Sequence, residues 1–447
     1  MSLSASESTP ALLRVVGLAG LTAIALNGVV GSGIFVLPAQ VYGLAGAASP
    51  VAYMLAAVLM ALVVACFAEA GSRSDETGGP YLYARAAFGE LAGFVVGWMF
   101  LLARLAASAA IANAFVAYLG SVVPWLGSGA GRCVAITAAI GGLAALNVFG
   151  VRPASRAVNL LTVIKLVPLV VLVVVGLVLA DGRRVTWLAL PDVGSLRQAA
   201  LLLVFAYGGF ENANVPTEEA VNPRRHLPVA LLTTIAAVAV LYVLIQVVAQ
   251  GTLPGLAASR TPLSSAARAV MGAPGAWMLT GAAIVSTLGS ISALALVGPR
   301  ILFAFGRHGQ LPAALARIHP RHRSPHVAVV VFALLAWGVA LAGGFAELAA
   351  LSAVARLVFS ASTCLAVPVL RRRGQIAPSF RLPGGPVIPM VAVGIAVWLL
   401  SGLTGAQAIA GVLGVASALV VYAGQRWSSG ARRAAGADGS ERDLAGH

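Results

Sequence analysis

The sequence predicts an all-α polytopic membrane protein, and three observations carry that prediction. Of the 447 residues, 60% are hydrophobic and only 10% are charged, whereas soluble domains carry about 25% charged residues. Apolar runs recur from Leu12 to Gly424 with no polar domain between them. Two of these runs are interrupted by glycines at corresponding places. With a mean hydropathy of +0.94, so few charges could not cover a soluble globule, and the apolar positions must face lipid or one another.

A membrane span needs about 20 mostly apolar residues. Twelve runs meet that requirement, over 15–38, 47–71, 91–122, 132–150, 157–180, 197–221, 227–250, 275–304, 326–343, 347–370, 386–403 and 406–424. They organise the chain into an N-terminal tail (1–14), a five-helix unit (15–180), a second five-helix unit (195–370), two peripheral helices (386–424) and a tail (427–447). The last of these, rich in Ala, Gly, Ser and charge, reads as disordered. Met1 to Pro10 is polar, with neither a basic n-region nor a small-residue cleavage site, so the first run reads as an uncleaved span.

The net charge of +15, from 29 basic and 14 acidic residues, would suggest nucleic acid as a partner in a soluble chain. Sorted by loop, it says something else. With both termini on the inside, 20 basic residues fall on inside loops and tails, 6 on outside loops and 3 within spans. That bias is an orientation signal. It places both termini in the cytoplasm and removes the case for nucleic acid. Arginine outnumbers lysine 28 to 1 in an alanine-rich chain, which suggests a GC-rich bacterial genome and hence the bacterial inner membrane.

Other chemistries lack their motifs. Cys66, Cys133 and Cys364 are far apart in apolar surroundings and form no CxxC pair, so each reads as a buried thiol. His319, His322 and His326 have a ligand-like spacing but sit in an Arg-rich loop without a nearby carboxylate, so no metal is expected. The only lysine, Lys165, lies in an apolar run, so there is no phosphate-binding GxxxxGK[ST] loop. No cofactor is called for. An intramembrane enzyme would need a metal motif or a Ser/His or Asp pair, and a channel a selectivity filter.

The glycine breaks are more informative. Gly28-Val29-Val30-Gly31-Ser32-Gly33 interrupts span one and Gly208-Gly209 interrupts span six. Gly31 and Gly208 are 177 residues apart, room for five spans, and a repeat with an odd number of spans must be inverted relative to its copy. Interrupted helices at matching positions of inverted halves point to a central transport site, although small residues also serve simple helix packing. Unwound backbone survives in lipid only where it is buried or lines a cavity. Gly-Ser-Gly would leave free N–H groups at a half-helix start, suited to a carboxylate. The carbonyls around Phe205 to Gly208 would suit an ammonium group. Together they would receive an α-amino acid zwitterion.

At this point the chain resembles the amino acid–polyamine–organocation superfamily of secondary transporters, over roughly residues 15–373. The resemblance rests on Gly31-Ser32-Gly33-Ile34-Phe35 with Pro38, and on Phe67-Ala68-Glu69 followed by Gly78-Gly79-Pro80-Tyr81. It continues in Phe205-Ala206-Tyr207-Gly208-Gly209-Phe210-Glu211 and in Glu218-Glu219-Ala220-Val221-Asn222-Pro223-Arg224-Arg225 with Pro228. Pro299-Arg300 and Gly309-Gln310-Leu311-Pro312 complete it around the end of span eight. It implies twelve helices with an inverted five-plus-five bundle, and an amino acid permease. Ser32 and Gly33 would hold the substrate carboxylate, and the carbonyls of Val29, Phe205 and Gly208 its amino group. Gly31, Ile34, Ala206, Tyr207 and Phe210 complete the expected binding segments. Ser290 to Leu294 is small and aliphatic, a departure from relatives with an aromatic gate there.

The ionisable groups inside spans are functional candidates because each is costly unless paired or hydrated. Lys165 stands where sodium-coupled relatives bind an ion. The resemblance therefore implies a sodium-independent transporter, proton-coupled or exchanging, with Lys165 as ion mimic. Burial favours the uncharged form of a lysine, which makes a proton-linked role possible; snorkelling toward an interface is the alternative. Arg104 and Arg356 are expected to pair with Glu69, Glu211 or Glu347. Glu211 would contact substrate, exchange a proton, or brace the unwound segment. A polyamine or amine antiporter is the rival reading, and Ser32-Gly33 argues against it. The expected partners are thus a small-molecule substrate (an amino acid), a proton and the bilayer.

Overall fold

The computed structural model describes residues 17–73, 79–149, 155–181, 192–214, 221–374 and 378–444. Among these residues the fold is all-helical, with no strand. Its helices are α1 (Leu18–Val29), α2 (Gly33–Ala45), α3 (Ser49–Gly71), α4 (Pro80–Phe88), α5 (Glu90–Val122), α6 (Gly129–Val148) and α7 (Ser155–Leu179). After these come α8 (Val193–Ala206), α9 (Pro223–Thr252), α10 (Pro262–Arg307), α11 (His326–Ala342), α12 (Phe345–Arg373), α13 (Val387–Leu400) and α14 (Gly405–Leu444). Nine helical segments among the described residues are long and apolar enough to cross a membrane, α2 and α3 counting together as one; α1, α11 and α13 are shorter apolar helices.

The helices fall on the apolar runs, and the differences have local causes. α10 contains a kink at Gly272, whose φ of 70° is in the left-handed region, so 262–271 forms a separate helix before the expected span. Pro80 at the start of α4 supplies a fixed φ and lacks an N–H that would go unused there, adding a short helix between α3 and α5. α14 runs to Leu444, past the end of the last expected span at Gly424: alanine and arginine are strong helix formers, and extending a helix already started by a span costs little.

Lipid-facing surface is easy to find. On α7, Val163, Val167, Val170, Val174 and Val178 are exposed at helical spacing, as an apolar stripe requires. On α14, Ile409, Val412, Leu413 and Val420 are exposed. The centre is occupied by α5, of which 83% of the apolar window is buried, against 11% in α14. α5 packs on α12 and α10, and α9 packs on α3 and α1.

The two glycine breaks meet inside this scaffold. α1 packs against the 3₁₀ segment Phe210–Asn214, while α2 packs against α8. The first half of each broken element thus lies on the second half of the other. Gly28 and Gly209 make the crossing possible, because a Cβ on either would strike the other's backbone carbonyl oxygen. Gly33 is similarly constrained, since its Cβ would lie 2.8 Å from Ala206 Cα.

Candidate binding site between the broken helices

α1 ends because Val30 adopts φ −74°, ψ 78°, an inverse γ-turn in which the Gly31 N–H donates to the Val29 carbonyl at 2.8 Å. α2 starts at Gly33 with Ser32 at its N-cap, and the Ser32 side chain makes no capping bond. Its hydroxyl is buried and has no hydrogen-bond partner. The first N–H groups of a helix lack acceptors within it, so this end of α2 presents donors and partial positive charge. α8 ends where the Gly208 N–H turns back to the Phe205 carbonyl at 3.2 Å, and Gly209 takes φ 109°, a region that favours glycine.

A cavity of about 40 Å³ lies between the breaks, several times the ~10–15 Å³ a single water needs. Of the ten residues expected to bind substrate, Val29, Gly31, Ser32, Gly33, Phe205, Ala206 and Gly208 line it. Ile34, Tyr207 and Phe210 do not; all three are buried in the surrounding core. Tyr207 reaches toward the Tyr53 carbonyl at 3.3 Å, and Phe210 meets Phe67 edge-on. Asn27, Gly28, Gly209, Asn212 and Ser290 also line the cavity.

The carbonyls assigned to an ammonium group are partly engaged. Val29 O accepts from Gly31 and, at 3.0 Å, from the Tyr242 hydroxyl, which also lies 3.4 Å from Ala206 O. Tyr242 thereby ties the end of α1 to the end of α8. Nothing in an apolar run marks such a tyrosine beforehand. The Asn212 Oδ1 has no partner and is a better placed free acceptor; it directly follows Glu211, the only signal the sequence offered for it.

Lys165, from α7, is 1% exposed. Its ammonium donates to Asn27 O at 2.8 Å and Val30 O at 2.6 Å. These carbonyls end α1, where the helix carries partial negative charge. Ser286 of α10 also donates to Val30 O, at 3.3 Å. Lys165 is therefore held by backbone rather than by a carboxylate.

The three carboxylates offered to Arg104 and Arg356 have separate fates. Both arginines pair with Glu211, Arg104 at 3.2 Å and Arg356 through a short Nη1–Oε1 contact. The second Glu211 oxygen accepts from Gly209 N at 2.8 Å. Glu69 pairs instead with Arg73 and Arg371, and Glu347 accepts from the Gly344 N–H at 3.2 Å at the start of α12. Of the remaining motifs, Glu218 to Ala220 and Gly78 lie outside the described residues. Cys66 and Cys364 are buried, but Cys133 is exposed on α6. The rings of His319, His322 and His326 gather with centroids 4.7 and 5.3 Å apart, yet no group of three ligating side chains among the described residues is arranged to hold a metal.

With this geometry in place, the comparison with known proteins is direct: the amino acid permease family model matches residues 16–424. The chain belongs to the amino acid permease family. It is 28% identical over 443 residues to the methylthioribose transporter of Bacillus subtilis, covering 94% of this chain and 95% of that protein. The branched-chain amino acid permease BcaP of the same organism is 26% identical, with 94% of each chain covered. The serine/threonine exchanger SteT is 28% identical, covering 86% of this permease and 89% of SteT. The expected superfamily is thus the right one, and this permease is a multi-pass membrane protein of a family of transporters.

Proposed function

We propose that this permease moves an amino acid across the bacterial cytoplasmic membrane by alternating access, without sodium, coupled to protons or by exchange. The observation that carries the reading is the meeting of two broken helices at one cavity. There the partnerless Ser32 hydroxyl and the α2 N-terminus can receive a carboxylate, and Asn212 Oδ1 an ammonium group. The crossed packing of α1 and α2 on the two halves of the second broken element supports two inverted five-helix units, 15–180 and 195–370, with α13 and α14 at the periphery, and the excess of basic residues on the inside loops supports both termini in the cytoplasm.

Lys165 supports the sodium-independent part. A fixed ammonium already occupies the carbonyls of Asn27 and Val30, the kind of oxygen cluster a hard cation would otherwise need. Losing or regaining its proton would alter the hold on the end of α1, and so link protonation to the break.

Uptake into proteoliposomes tests the proposal. Labelled amino acids, with methylthioribose included because of the relative that bears its name, are offered under a proton gradient, a sodium gradient or with substrate inside. The expected result is amino acid uptake driven by protons or by exchange and indifferent to sodium; sodium-driven uptake would overturn the assignment of Lys165. Lys165→Ala is expected to abolish the pH dependence of transport, and an unchanged pH profile would reduce the residue to a structural role.

A further inference from the structure

The charges around the cavity do not balance. Its wall includes two guanidinium groups, Arg104 and Arg356, and no carboxylate among the lining residues. Arginine remains protonated in proteins, so these are permanent charges, 1% and 3% exposed. One carboxylate, Glu211, answers both. Its Oε1 takes the two arginines and its Oε2 is already committed to the Gly209 N–H. One positive charge is left over. The Nε groups of Arg104 and Arg356 have no hydrogen-bond partner.

We infer that the amino acid taken by this cavity bears a second anionic group on its side chain, as aspartate and glutamate do, and that Arg104 and Arg356 receive it. The inference rests on the reading of the cavity as an amino acid site and names its substrate class. A zwitterion without a charged side chain brings no net charge, and its single carboxylate is matched by Ser32 and the α2 N-terminus. The two guanidiniums would then share one carboxylate and keep their Nε groups unmatched, a costly arrangement for buried cations unless an acceptor reaches them. A dicarboxylic amino acid supplies the missing negative charge.

The surroundings favour an anion over a merely structural cluster. The Arg104 guanidinium stacks 4.4 Å from the centre of the Phe100 ring, and Arg356 lies 5.8 Å from that of Phe359. Aromatic rings cover the faces of a guanidinium but leave its N–H edge for an oxygen. At Gly208 any Cβ would collide with the Arg356 guanidinium, so the glycine brings that cation close to the break in α8. Ala107, Ile111 and Leu294 contribute an apolar wall beside the arginines.

Competition separates this inference from the reading beneath it, because aspartate and asparagine, or glutamate and glutamine, match in shape and differ in charge. Uptake by the full chain in proteoliposomes is measured with each as competitor. The acid should compete about tenfold better than its amide, the ratio separating a charge-assisted from a neutral hydrogen bond. Arg104→Gln should bring that ratio close to one. If this variant does not yield folded protein, the unliganded wild-type chain in detergent decides: aspartate or glutamate should raise its melting temperature and the matching amide should not. Amides that compete as well as or better than acids overturn the inference and leave amino acid transport standing. Failure of every amino acid to compete or to stabilise overturns both.

Discussion

Two buried carboxylates in this permease have nearly the same partners and opposite surroundings. Glu211 and Glu69 are each fully buried, each sits between two arginines, and each accepts one backbone N–H, from Gly209 and Leu382 respectively. Helix α12 supplies an arginine to both, Arg356 and Arg371, about 22 Å apart along the axis at 1.5 Å per residue. At Glu69 the donors of Arg371 are consumed. Arg371 binds both carboxylate oxygens, at 2.7 and 2.5 Å, and continues to the carbonyls of Gly385 and Leu382. Around Glu211, both arginines keep an Nε without a partner and both face the cavity. Burial and charge pairing are therefore common to the two clusters, and the open space beside the guanidiniums is what separates a binding site from a clasp.

The comparison is broken most severely at Glu211. Glu211→Gln leaves two buried guanidiniums facing a neutral amide. Removing one partner of a buried charge pair costs about 3–5 kcal/mol, so the variant should melt at a markedly lower temperature and lose transport altogether. A variant with wild-type melting and uptake would mean that Glu211 is not the counter-charge of the cavity.

Gly33→Ala comes next. Its Cβ would lie 2.8 Å from Ala206 Cα, backbone that cannot swing aside, and overpacking of this kind costs about 1–3 kcal/mol. The larger effect should be on binding, because pushing α2 from α8 displaces the donors at the start of α2. Ligand-induced stabilisation should vanish while the protein still folds. Retained stabilisation would place the substrate elsewhere.

Much of this arrangement was legible in the sequence because its causes are local. Gly-Ser-Gly and Gly-Gly announce unwound backbone wherever they fall in an apolar run, and a lone lysine nine residues into a span must find oxygens. The pairing of Arg104 and Arg356 with Glu211 is one of three options the sequence leaves open, and only the approach of α5 and α12 to the 3₁₀ segment Phe210–Asn214 selects it. Tyr242 and Ser286 were invisible for the same reason: a hydroxyl in an apolar helix gains meaning only from the carbonyl that tertiary packing sets against it. Ile34, Tyr207 and Phe210 show the converse case. They flank the breaks in sequence and are buried in the core, but they do not line the cavity.

Glu69→Gln should be milder than Glu211→Gln. Its arginines are 9% and 10% exposed and Arg371 keeps its carbonyl partners, so the loss should be about 1–3 kcal/mol, the range for one unsatisfied buried group. Substrate selectivity should not move. Thermal unfolding checks the first expectation and competition assays the second. Altered selectivity would show that α12 transmits changes from one cluster to the other, and the two carboxylates would then act as a unit.

The smallest effect belongs to Glu347, the third carboxylate that could have met an arginine. It is exposed and accepts only the Gly344 N–H at the start of α12. A glutamine there keeps an acceptor oxygen for that bond and gives up only a favourable charge at a helix N-terminus, an effect that salt screens. Glu347→Gln should therefore change stability by no more than about 0.5 kcal/mol, as surface substitutions do, and leave the preference between an acidic amino acid and its amide untouched. That null result matters because α12 also holds Arg356 and Arg371. Loss of selectivity in this variant would mean that any disturbance of α12 reaches the cavity, and the contrast between Glu211 and Glu69 would then reflect the stiffness of one helix rather than the chemistry of two sites.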